Sequence, residues 1–136
     1  MRLHHFAVIV AVTLVAGCER RQPPDPHAMV QKTMHGVLAY PMSVQVSVSA
    51  GEDAAQVTMT SPDSVAKVAA WYRRTLATNG WTLTSDVTGA DGSTTMSASQ
   101  GKRPLWITLR RNEGAPGTTY TVIGAVVAGD SVTAKP

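Results

Sequence analysis

Residues 61–81, SPDSVAKVAAWYRRTLATNGW, decide the fold. Val65, Val68, Ala69, Tyr72 and Leu76 recur at the spacing of one face of a helix. Ser61 is placed to cap that helix, Pro62 suits its first position, and Asp63 favours its positive end. Asn79-Gly80 supplies a stop, because Gly tolerates the left-handed backbone that closes a helix. One amphipathic helix must find an apolar surface to cover, so the flanking segments have to provide it.

They read as strands. Val44, Val46 and Val48 alternate with polar residues, and so do Ala55, Val57 and Met59 across the turn Ala50-Gly51-Glu52-Asp53. After the helix come Trp81 and Leu83, then Met96 and Ala98 beyond Gly89-Ala90-Asp91-Gly92. Leu105, Ile107 and Leu109 follow Gly101-Lys102-Arg103-Pro104, and Tyr120 to Val127 follow a Gly/Pro loop. The expected class is α+β in the order ββαβββ, with the helix on one face of a mostly antiparallel sheet. The other face would carry Gln45, Ser47, Thr58, Thr60, Thr82, Thr84, Thr95, Ser97, Trp106, Thr108 and Arg110.

The N-terminus has a different character. Arg2 precedes an apolar run from Phe6 to Val15, which ends in Val15-Ala16-Gly17-Cys18. The run suits export and falls short of the roughly 20 apolar residues that span a bilayer. Glu19 to His27, ERRQPPDPH, is charged and proline-rich and reads as an extended tether. Val30, Met34, Val37 and Leu38 then fall at the spacing of a short helical turn. The expected organisation is a signal over 1–17, a lipidated N-terminus and tether over 18–39, one domain over 40–128, and a flexible tail over 129–136.

Two resemblances rest on these residues. Val15-Ala16-Gly17-Cys18 resembles the lipobox of bacterial lipoproteins, and Cys18 is the only cysteine of the chain. The resemblance implies lipidation of Cys18 after removal of residues 1–17. With Glu19 rather than Asp in the next position, it implies an outer-membrane anchor facing the periplasm. Separately, Tyr40-Pro41, the Ser61-Pro62-Asp63 cap, Trp71-Tyr72, Leu76 and Gly80-Trp81 resemble a pattern in small uncharacterised bacterial lipoproteins. Those begin their domain with Tyr-Pro-Gly and carry a Phe-Tyr-xxx-Leu-xxx-Gly-Trp helix. Met42 stands here where the Gly would be, and Trp71 where the Phe would be. The likeness implies a fold and no particular activity.

Composition narrows the function. The formal charge is only +3, too small to argue for nucleic acid as a partner. No internal disulfide can form from a single cysteine. After the signal, the histidines are His27 and His35, both in the arm, and the carboxylates fall at tether, cap, turn and loop positions. No acid/base pair or nucleophile–base pair emerges, so no enzyme and no cofactor are expected.

His27, Met29, Met34 and His35 form the one candidate metal cluster, whose soft donors suit copper. The competing reading packs Met34 with Val30 and Leu38, leaves the imidazoles to water, and expects no metal. Trp71, with Lys67 and Arg74 on either side, is a candidate partner-facing ridge with cation–π contacts. Trp106 is a candidate anchor for a protein or a sugar ring, unless residues 28–40 cover it. Lys102, Arg103, Arg110 and Arg111 gather around one strand and suit an anionic surface or simple edge protection. The expected function is a non-catalytic, membrane-held module that binds an envelope protein. A small ligand-binding module, for glycan or copper, is the alternative.

Overall fold

The computed structural model describes residues 22–127. Cys18, the signal and the expected tail over 129–136 lie outside them. The elements in chain order are α1 (Pro26–Thr33), β1 (Val44–Ala50), β2 (Ala54–Ser61), α2 (Val65–Thr78), β3 (Thr82–Thr88), β4 (Thr94–Gln100), β5 (Arg103–Arg111) and β6 (Thr118–Ala125). The class is α+β, as expected. Four strands follow α2, not three, so the sheet has six.

The order across the sheet is β1-β2-β6-β5-β4-β3, with every neighbouring pair antiparallel. A hairpin, β1–β2, is therefore joined to a four-strand meander, β3–β6, through the β2–β6 pairing. α2 carries the chain from β2 to β3 at the far edge.

α2 starts three residues later than the cap reading placed it. Ser64 is the N-cap and accepts from the Lys67 N–H at 3.3 Å. Ser61 instead ends β2, where its buried hydroxyl accepts from the Asp63 N–H. The strand reaches Ser61 because β6 pairs with it there, through Thr118. The C-terminal end is as read. Gly80 has φ of 79°, its N–H donates to Ala77 O, and the Trp81 N–H donates to Leu76 O at 2.9 Å. This is a Schellman closure, with buried Leu76 and Trp81 as its apolar pair.

The apolar stripe holds. Val68, Ala69, Tyr72 and Leu76 are buried against Met96, Ala98, Leu105, Ile107, Leu109 and Tyr120. Burial of such side chains stabilises the domain by about 1.5–3 kcal/mol each.

α1 is a full helix and lies partly inside the expected tether. Asp25 caps it, accepting from the His27 N–H at 3.0 Å, and Pro26 opens it. Met29, Thr33, Met34 and Tyr40 are buried on the same side of the sheet as α2. The packed unit thus extends upstream of residue 40. Gly124 of β6 admits α1, since a Cβ there would lie 2.7 Å from the Met34 side chain and 3.0 Å from Thr33 O.

The β1 expectation needs correction. Val44 and Val46 are 64% and 62% exposed. The pairing shifts between Gln45 and Ser47, so one extra residue enters the strand. A bulge of this kind reverses which side chains face the core. Val44 pairs with Thr60 on the open face, while Gln45 pairs with the buried Met59. A second shift between Leu83 and Ser85 takes Thr84 out of the ladder and sets Asp86 opposite the buried Met96. Asp86 thereby meets Arg73 of α2 in a two-pronged ion pair, 2.5 and 2.9 Å long.

Candidate functional site

Two concave surfaces stand out, one on each face of the sheet. The first lies on the helix side, between the arm and the sheet. It is a cavity of about 370 Å³ lined mainly by apolar side chains, among them Val30, Met34, Val37, Leu38, Val57 and Val122. Gln31, His35 and Gln45 supply polar groups at its lining. Val30, Met34 and Val37 are the residues whose helical spacing stands out in the sequence. The cavity itself has no sequence signal, because it is the gap left where α1 and the following loop cover the half of the sheet that α2 does not reach.

The wall of this cavity is pinned by tyrosines. The Tyr72 hydroxyl donates to Leu38 O at 3.1 Å, and the Tyr40 N–H donates to the Tyr120 hydroxyl at 3.2 Å. The Tyr120 hydroxyl donates in turn to Ser43 Oγ at 2.8 Å. The Tyr40 hydroxyl donates to Asp63 at 2.6 Å, and Lys67 Nζ lies 2.8 Å from the same carboxylate. Lys67 first, and Tyr40 after it, hold the Asp63 carboxyl below its usual range. The hydrogen bond to Asp63 pushes the Tyr40 hydroxyl up, and burial pushes Tyr72 up. Asp63 with both donors attached is a structural tie between the arm and the start of α2, with no proton to give at neutral pH.

Trp71 belongs to this tie. Its ring meets the Tyr40 ring edge-on at 5.4 Å and the Tyr72 ring at 4.9 Å. It is half-buried and packed against the core, not a free ridge. Lys67 is engaged by Asp63, and Arg74 is exposed beside it on α2. The cation over a ring is instead Arg103, 5.1 Å from the centre of Trp81. Sequence spacing could not show that a residue 31 positions upstream, Tyr40, would take Trp71.

The other proposed groupings separate. Of the four candidate copper donors, Met29 and Met34 are buried in the core, while His27 and His35 are exposed. Among the described residues, no three His, Cys, Asp or Glu side chains gather at metal-binding distance. The basic residues divide between the two ends of β5. Arg103 donates to Gln100 and lies over Trp81, whereas Arg110 projects from the open face near the opposite end.

The open face is the second surface. The strand pairings arrange it as a grid. One row runs Gln56, Ile123, Trp106, Ser97; the next runs Thr58, Thr121, Thr108, Thr95; the third runs Thr60, Thr119, Arg110. Both helices and the arm lie on the opposite side, so residues 28–40 do not cover Trp106, which is 41% exposed. A broad trough of about 810 Å³ runs beside it, over Val46, Thr60, Thr108, Arg110 and Thr119.

Residues 41–117, more than half of the chain, match the START domain-like family. The chain belongs to the START domain-like family. The match covers β1 to β5 and α2 of this START-like domain, and it leaves α1, β6 and most of the cavity's arm outside. It supports a small ligand-binding or accessory module without naming a ligand. Searches of curated proteins and of solved structures return no match.

Proposed function

We propose that this chain is a non-catalytic accessory module of the bacterial envelope, held by lipid on Cys18 at the periplasmic side of the outer membrane. It binds a small apolar molecule between its N-terminal arm and its sheet. The cavity beneath Met34 to Ala39 carries this reading. Its volume lies within the range of small-molecule sites, and its apolar lining with a few polar groups is their usual composition. Membership of the START domain-like family supports a ligand-binding module. The lipobox-like Val15-Ala16-Gly17-Cys18 supports the address. Asp63, the carboxylate tied to the cavity's wall, is committed to Tyr40 and Lys67.

Binding is tested with N-phenyl-1-naphthylamine, which brightens in apolar surroundings. The full chain brightens the probe in a saturable way. Gln45→Trp, which fills the cavity from the edge strand, removes most of that signal. Equal brightening by both proteins, or none by either, refutes the reading.

A further inference from the structure

We propose that the open sheet face is a second binding site, for a carboxylate-bearing glycan strand that stacks a sugar ring on Trp106 and sets a carboxylate on Arg110. The site lies on the opposite side of the sheet from the cavity and stands independently of it.

The geometry begins with β5. Trp106, Thr108 and Arg110 alternate onto one face, so Trp106 and Arg110 lie about 13–14 Å apart along the strand. That is the length of a short oligosaccharide. Trp106 presents a broad apolar ring to solvent in the middle of the sheet. A pyranose ring has an apolar C–H face that matches such a ring and hydroxyls around its rim.

The surroundings of Trp106 suit that rim. Ser97 sits opposite Trp106 on β4, and Thr95 sits opposite Thr108. Several hydroxyls in the middle of the face are engaged within the sheet: Thr58 with Thr121, Thr60 with Thr118 O, and Thr119 with Asn112. The hydroxyls of Thr95, Ser97 and Thr108 have no hydrogen-bond partner among the described residues. Three free hydroxyls therefore border the exposed aromatic ring and the strand segment that leads from it to Arg110.

Charge selects the class of sugar. Arg110 feels the Asp91 carboxylate on the neighbouring turn but makes no direct ion pair with it among the described residues, and Arg111 lines the same trough. Glu113 is the trough's one acidic lining residue, so the balance favours an anion. A guanidinium binds a carboxylate through two parallel hydrogen bonds. A protein partner fits less well, since Ser and Thr are under-represented among the residues that dominate protein interfaces.

The test uses intrinsic fluorescence, because Trp81 is buried, Trp71 is half-buried and Trp106 is the exposed indole. The probe is glycan strand released from sacculi by an amidase, which carries lactyl carboxylates; N-acetylglucosamine oligomers serve as the carboxylate-free counterpart. The lactyl-bearing strand shifts the emission of the full chain to shorter wavelength, and in calorimetric titration, which needs no indole reporter, Trp106→Ala loses binding of the same strand. Arg110→Gln weakens binding of that strand about tenfold, the loss of one charge-assisted contact, and leaves the neutral oligomer unaffected. Thr108→Glu, which sets a negative charge between the two anchors, blocks the lactyl-bearing strand while melting at the wild-type temperature. Absence of any shift, binding that survives Trp106→Ala, equal affinity for both sugars, or occupation of this face by an envelope protein instead of the glycan would each overturn the proposal.

Discussion

Replacing Met42 by glycine should make the protein more stable. Met42 has φ of 61°, the only positive φ at a non-glycine residue among those described. Its side chain is 80% exposed, so truncation sacrifices almost no packing. An L-residue held in the left-handed region costs about 1–2 kcal/mol. Glycine removes that cost but adds freedom to the unfolded chain, a loss of about 0.4–1 kcal/mol. The net gain is about 0.5–1 kcal/mol. For a domain of this size that raises the melting temperature by about 2–6 °C. Thermal unfolding followed by circular dichroism measures it, with Met42→Ala as the control. Alanine also removes the side chain but keeps the strain, so it should leave the midpoint near that of the wild type. A glycine variant that melts lower, or an alanine variant that gains as much, would refute the reasoning.

Other outcomes follow from the same contacts. Tyr120→Phe removes the hydroxyl shared by Tyr40 and Ser43 and should destabilise the domain by about 1–3 kcal/mol in urea denaturation. Gly124→Ala drives a methyl into Met34 and Thr33, and should cost about 1–3 kcal/mol while increasing amide exchange over Pro26–Thr33. The Asp86 carboxyl is held below its usual range by hydrogen bonds from Arg73. The unfolded state therefore binds the proton first, and this contribution fades as pH falls from about 4 through the depressed native value; Asp86→Asn should flatten that limb of the stability–pH curve. Labelled palmitate should enter the wild-type chain in cells and not Cys18→Ser, and equal labelling would remove the anchor from the proposed function.

The local rules were legible wherever one segment decides its own conformation. The stripe Val65 to Leu76 specifies its helix because those side chains fall on one face whatever lies opposite. Asn79-Gly80-Trp81 specifies the stop because the Schellman bonds stay within six residues. The hairpin turns behave likewise, with Gly92 and Gly101 at positive φ. The exposed Trp106 face was also readable as an alternative, since period-two alternation separates Trp106 from Leu105 and Ile107.

What the chain alone could not decide depends on partners distant in sequence. The start of α2 moved from Ser61 to Ser64 because Thr118, 57 residues later, extends β2. Val44 and Val46 turned outward because a bulge, visible only against β2, reverses the alternation. Trp71 changed from ridge to packing because Tyr40 closes over it. The pairing of β2 with β6, instead of with β3, comes from assembling the entire sheet. Periodicity determines that a residue faces one side or the other; which side becomes core, and where a cavity remains, is settled only when the helices and arm compete to cover the same sheet.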